Sequence, residues 1–198
     1  RYSMFFLLGE STVYSYTPDM SIKDSTHYRN GELIQFYNGL EPRIDLRYLI
    51  NNNNSIKASY TYVTQYQHLL SNSSVGLPTD VWLPVNKLIK PQYSNQFSVG
   101  YYNSTPNNKY EFSTELYYRR LGNIIDYIDN ADLFLNPHIE TQILVGKGES
   151  YGAEFYFEKK TGKLTGWISY TLSRTTKQID GINNNESYPA TYDKRHNL

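Results

Sequence analysis

The stretch RIDLRYLINNNNSIKASYTYV, residues 43–63, sets two alternating runs on either side of four asparagines. Ile44, Leu46, Tyr48 and Ile50 share one parity, and Arg43, Asp45 and Arg47 share the other. After the asparagines, Ile56, Ala58, Tyr60 and Tyr62 repeat the apolar face against Ser55, Lys57, Ser59 and Thr61. A period of two predicts two strands joined by a tight hairpin, each with one apolar and one polar face. A soluble sheet turns the apolar face into a core, whereas a membrane barrel turns it toward lipid.

The same parity recurs along the chain. Strands are predicted near 42–50, 55–66, 94–103, 109–120, 150–160 and 163–175, with partial ones at Tyr2 to Leu8 and Thr191 to Leu198. In NQFSVGYY, Phe97, Val99 and Tyr101 oppose Gln96, Ser98 and Gly100; in YEFSTELYYR, Tyr110, Phe112, Leu116 and Tyr118 oppose Glu111, Ser113, Glu115 and Arg119. YGAEFYFE sets Tyr151, Ala153, Phe155 and Phe157 against Glu154 and Glu158. Short turns fall at NNNN, STPNN and KTG, and long loops at 9–41, 67–93, 121–149 and 176–190. In an up-and-down meander this puts every short turn at one end and every long loop at the other, as in outer-membrane barrels. Strands of about ten residues, tilted about 45°, span roughly 23 Å, close to the apolar band they must cross. An antiparallel sandwich also alternates by parity. Arg43, Asp45, Arg47, Glu111, Glu115, Arg119 and Glu154 suit either the lumen of a barrel or the solvated outside of a sandwich.

Composition narrows the classes. The 19 basic and 19 acidic residues of the 198 balance, so no broad field favours nucleic acid. The absence of cysteine excludes disulfides, thiolate metal sites and a cysteine nucleophile. Twenty-one tyrosines favour strands and interfaces, where one end of the ring is apolar and the other wet. No run approaches the length of an apolar membrane helix, but barrel strands average out on a hydropathy scale, so the negative mean hydropathy decides nothing. The opening RYSMFFLLGE has no initiator methionine or signal-peptide features and reads as the interior of a longer chain.

The series LEPR, SIKASYTYVTQY, HLLSNSS followed by PTDVWLP, and IKPQYSNQFSVGYY resembles the barrel region of TonB-dependent outer-membrane receptors. GKGESYGAEFYFEKKTGKLTGWISYTLSRT and YPATYDKRHNL are similar to that family's later hairpin and the strand start that follows. The resemblance runs through nearly the whole chain in family order. It implies an all-β fold, an antiparallel meander of about eight strands forming part of a barrel of about 22. Residues 1–198 would then be barrel, with the plug domain and the TonB-contacting segment outside them. It also implies location in the Gram-negative outer membrane, contact with its lipid and with the plug, and TonB-dependent import of a siderophore, vitamin, glycan or peptide. No cofactor, nucleic acid or catalysis is expected. The alternatives are a soluble tyrosine-rich carbohydrate-binding sandwich and a barrel hydrolase, and no convincing Ser, Asp and His constellation supports the latter.

Ligand contacts in such a barrel fall on the long loops or the upper lumen. Tyr66, His68 and Trp82 in TQYQHLL and PTDVWLP are candidates for stacking or hydrogen bonding, and Asp126, Tyr127 and Asp129 in IIDYIDNADLF are weaker ones. Tyr66 and Trp82 fit equally well as loop packing or as an interfacial girdle. His27, His68, His138 and His196 show no metal-ligand spacing. The glycines of GKGESYG precede a strand rather than a helix, which fits a bend better than a phosphate cradle. DKRH, residues 193–196, fits a strand start better than acid–base chemistry. The sequon at Asn72 to Ser74 carries meaning only in a eukaryotic secretory protein.

Overall fold

The computed structural model describes residues 1–70, 81–128, 131 and 136–198. Asn72 and Asp129 lie outside them. The described chain is all-β, with two short 3-10 turns at Ile139–Gln142 and Asn183–Asn185. Its strands are β1 (Tyr2–Tyr16), β2 (Ile22–Leu40), β3 (Arg43–Asn51), β4 (Asn54–Gln65), β5 (Gln67–Leu70) and β6 (Val81–Pro84). The rest are β7 (Gln92–Ser104), β8 (Tyr110–Tyr127), β9 (Ile143–Lys159), β10 (Gly166–Ile179), β11 (Tyr188–Pro189) and β12 (His196–Asn197).

The main sheet is a meander in which β3, β4, β7, β8, β9 and β10 pair with their neighbours antiparallel, and β10 also carries the short β11 and β12. Asparagine closes the first hairpin: Asn51 Oδ1 accepts from the Asn53 backbone N–H at 2.9 Å, while Asn53 Nδ2 reaches the Ser104 carbonyl at 2.5 Å. Short side chains that bond to nearby backbone are the reason asparagine suits such turns. The other tight connections, 105–109 and 160–165, lie at the same end of the sheet as 52–53. The excursions between β4 and β7, β8 and β9, and β10 and β12 lie at the opposite end, called here the upper end.

The segment 9–41, expected to be a long loop, is a β-hairpin instead. β1 and β2 pair from Tyr2↔Leu40 to Tyr16↔Ile22, with bulges that shift the register between Leu7 and Leu8 and between Gly9 and Ser11. β2 runs almost directly into β3. The Glu41 N–H donates to the Arg1 carbonyl at 2.7 Å on one side, and the Pro42 carbonyl accepts from the Tyr62 N–H at 3.0 Å on the other. Together β2 and β3 act as one long strand that pairs with β1 above and β4 below. The remaining expected loops are also shorter than their ranges, because β8 continues to Tyr127, β9 starts at Ile143, β10 continues to Ile179, and 67–93 contains the β5–β6 hairpin. The glycines of GKGESYG therefore sit inside β9, not before it.

Register sorts the side chains into rows. Leu46, Ala58, Val99, Leu116, Ala153 and Leu172 stand side by side across six strands. The row above holds Ile44, Tyr60, Phe97, Tyr118 and Tyr151, and the row below holds Tyr48, Ile56, Tyr101, Phe155 and Tyr170. This apolar face is uncovered: Leu46 is 67% and Leu116 56% exposed. The buried apolar side chains, Ile34, Val85, Ile89, Ile124, Ile143, Ile179 and Ala190, collect toward the upper end instead. A sandwich needs a second layer against its apolar face. Among the described residues there is one layer, with its apolar rows bare.

Candidate functional site

The face opposite the apolar rows carries the charged side chains. Arg43, Thr61, Gln96, Arg119 and Ser150 form one row, Asp45, Ser59, Ser98 and Tyr117 the next, and Arg47, Lys57, Gly100, Glu115 and Glu154 a third. Arg43, Asp45, Arg47, Glu111, Glu115, Arg119 and Glu154 thus share one face. Charges on it are segregated. Arg47 stands directly opposite Lys57, Glu115 opposite Glu154, and Glu111 opposite Glu158. Like charges opposed across a ladder destabilise a sheet unless water or a counter-charge intervenes. Local partners relieve only part of this: Tyr102 donates to Glu115 at 2.7 Å, Lys57 sits 4.5 Å over the Tyr102 ring, Lys160 pairs with Glu111, and Arg119 Nε donates to Gln96 at 2.8 Å. The arrangement suits a hydrated wall or one facing a polar body.

The upper end is roofed. The tip of the β1–β2 hairpin reaches the turn before β9, where the Tyr16 hydroxyl donates to Glu140 Oε1 at 2.8 Å and lies 3.1 Å from His138 Nδ1. A phenol has one proton to give, so the second contact requires His138 to donate from Nδ1. The Tyr14 ring meets the His138 ring edge-on at 4.7 Å. Burial, reinforced by the Glu140 carboxylate, pushes the Tyr16 phenol well above its ordinary pKa. Replacing Tyr16 by phenylalanine removes this hydrogen bond to a partly solvated carboxylate and costs about 1 kcal/mol of local stability. Amide exchange at Ile128, whose N–H bonds to the Gln142 carbonyl, is expected to quicken about fivefold if the clasp holds this loop, and to stay unchanged if it does not.

Beneath the clasp, the 66–91 excursion is tied to the same hairpin. Lys87 Nζ donates to the Tyr28 hydroxyl at 2.9 Å, and the Tyr37 hydroxyl donates to the Asn86 carbonyl at 2.8 Å. Tyr66 stacks on Phe5 at 5.3 Å and shares a 2.7 Å hydrogen bond with Ser3. Ile89 and Ile143 anchor the far side, packed with Leu83, Ile125, Tyr127 and Ile139.

Of the six predicted ligand residues, the five that are described do not converge. Tyr66 and Trp82 border one hollow of about 460 Å³ together with Phe5, Gln65 and Gln67, and Trp82 is 62% exposed there. His68 is only 1% exposed, with Nε2 3.1 Å from the Lys90 carbonyl. Asp126 belongs to another strand top, where it accepts from Lys177 and from the Tyr188 hydroxyl, both at 3.2 Å. Burial and the neighbouring Asp126 push the Tyr188 phenol up to about 12. Tyr127 packs into the Ile89–Ile143 cluster. Tyr14, Tyr16, Tyr28, Tyr37 and Glu140 escaped the sequence reading, and His138 entered it only as a histidine without metal-ligand spacing. Residues 9–41 read as loop, and a contact spanning 122 positions leaves no local pattern.

Burial lowers the His68 pKa below its ordinary value, opposed by its hydrogen bond to Lys90. The neutral ring then contributes fully above about pH 6.5, the unfolded value, and that contribution is lost as pH falls toward the lower folded value. Protection against hydrogen exchange at β5–β6, taken relative to the intrinsic exchange rate at each pH, is expected to fall as pH drops below about 6.5 in the native protein and to lose this pH dependence in His68→Gln. Identical profiles for both would remove His68 as the cause.

Among the described residues no group of histidine and carboxylate side chains is placed to hold a metal ion. No curated protein and no solved structure gives a match to the chain. The model of the TonB-dependent receptor-like β-barrel family matches residues 13–198. A single antiparallel sheet with one apolar and one charged face, tight turns at one end and a roof of longer excursions at the other is the architecture such a barrel requires. The chain belongs to the TonB-dependent receptor β-barrel family.

Proposed function

We propose that this chain is wall and roof of an importer that takes a scarce nutrient across the Gram-negative outer membrane, driven through TonB. The apolar rows around Leu46 and Leu116 meet lipid. The charged face, with Arg43, Asp45, Arg47, Glu111, Glu115, Arg119 and Glu154, lines a lumen filled by the receptor's plug domain. Ligand enters through the roof, where Trp82 is the most accessible aromatic ring of the predicted set. A siderophore, vitamin, glycan or peptide fits this reading, since aromatic rings beside polar side chains serve sugars, peptides and siderophore rings alike.

The observation that carries the reading is the two-faced single layer: paired like charges on one side and a bare apolar band on the other, in a chain of this receptor family. Deleting the gene that encodes the chain is expected to abolish growth on one limiting nutrient, and inactivating TonB in the same organism is expected to abolish growth on it as well. A deletion strain that loses a nutrient still used without TonB would overturn the proposal.

A further inference from the structure

The apolar face changes character at its upper edge. Above the row of Tyr118 and Tyr151, which ends in Arg174 on β10, come Arg120, Glu149 and Thr176, and then Gly122, Lys147 and Gln178. These side chains share the face of Leu116, Ala153 and Leu172. Arg120, Lys147 and Arg174 are exposed there. Arg120 Nε is engaged, donating to the Tyr118 hydroxyl at 2.8 Å and lying 3.7 Å from Glu149. Among the described residues Lys147 and Arg174 have no acidic partner. Three cations against one carboxylate leave the patch with two positive charges in excess.

Two hollows adjoin at this edge. The upper one, about 430 Å³, has a mixed lining in which Arg120, Lys147, Glu149 and Thr176 stand beside Tyr93 and Leu121. The lower one, about 500 Å³, is mainly apolar and is bordered by Leu116, Tyr151, Ala153 and Leu172, with Arg174 and Arg195 at its rim. Solvated surface cations need no hollow, and an apolar groove alone needs no cations. Cations stacked directly over an apolar groove match an amphiphile with an anionic head. A headgroup phosphate gains from nearby basic side chains at the membrane surface, and arginine binds it through paired N–H groups.

We propose that this edge binds a phosphate-bearing lipid of the outer leaflet, with its phosphate against Arg120, Lys147 and Arg174 and its acyl chain along Leu116, Ala153 and Leu172. This rests on the reading that the apolar face meets lipid. Glu149 braces Arg120 and limits the charge of the site, so that its removal strengthens binding.

The test uses the full-length receptor in nanodiscs, with spin-labelled phosphatidic acid compared against spin-labelled phosphatidylcholine. The native protein is expected to immobilise the anionic lipid preferentially, and each cation removed in Arg120→Gln, Lys147→Gln and Arg174→Gln weakens that preference about fivefold. Glu149→Gln is expected to increase it, and Arg120→Lys with Arg174→Lys to retain most of it. Inorganic phosphate, compared with chloride at equal ionic strength, is expected not to displace the labelled lipid. Displacement would overturn the lipid assignment in favour of a free-anion site. A cysteine at Leu116, probed by lipid-borne nitroxides in the same nanodiscs, separates the two levels of failure. Absence of quenching at Leu116 overturns the membrane reading itself. Quenching at Leu116 together with an anionic preference that survives the triple substitution overturns this site alone.

Discussion

An arginine at Ala153 is expected to stop the receptor from reaching its folded state in the membrane, while an arginine one residue further on, at Glu154, is expected to be accepted. Ala153 lies in the middle apolar row, flanked by Leu116 and Leu172. A cation at the lipid midplane of a barrel costs about 2–4 kcal/mol, a large part of the margin by which proteins are stable. Glu154 faces the other way and stands opposite Glu115, so Glu154→Arg replaces a like-charge pair with an opposite-charge one. Heat-modifiable gel mobility and surface abundance of the full-length receptor report the difference. Equal loss in both variants would mean that the two faces do not meet different solvents.

The second large effect is expected from Gly146→Leu. A Cβ at Gly146 would lie 2.4 Å from the Gln178 carbonyl oxygen and 2.5 Å from Ile179 Cγ1. The first of these is backbone, and Ile179 is completely buried, so neither can step aside without parting β9 from β10. Overpacking of this kind costs about 1–3 kcal/mol. It is expected to lower the thermal midpoint and to release protection at the paired positions Gly146 and Ile179. Gly39, where nothing lies within 4 Å of a built Cβ, supplies the contrast, and Gly39→Ala is expected to leave both unchanged. A Gly146→Leu protein as stable as the native one would show that the strands do not approach this closely.

The strands of the main sheet were legible because each carries one apolar and one polar face. Ile44, Leu46 and Tyr48 against Arg43, Asp45 and Arg47 record that difference residue by residue, and the register places them as the alternation required. The β1–β2 hairpin was hidden because its upper part has no such contrast. In KDSTHYRNGE both faces are polar, and the bulges near Gly9 and Leu8 reset the parity halfway along. Strand ends failed for the same reason: above Arg119 and Ser150, neither β8 nor β9 keeps one face apolar.

The roof was less legible than the wall. His68 read as a ligand-type side chain, yet the β5–β6 hairpin buries it against the Lys90 carbonyl. Asp126 read as a weaker ligand candidate, and the structure makes it the acceptor for Lys177 and Tyr188. The Tyr16, His138 and Glu140 clasp joins two excursions through tertiary contacts, which periodicity does not encode.

The central claim is that the two faces of β3 meet different solvents. Single cysteines at Leu46 and Asp45 of the full-length receptor, labelled with a fluorophore in native outer membranes and exposed to lipid-borne nitroxides, test it with adjacent residues. The account predicts strong quenching at Leu46 and little at Asp45. Equal quenching at both positions, or none at Leu46, would contradict it.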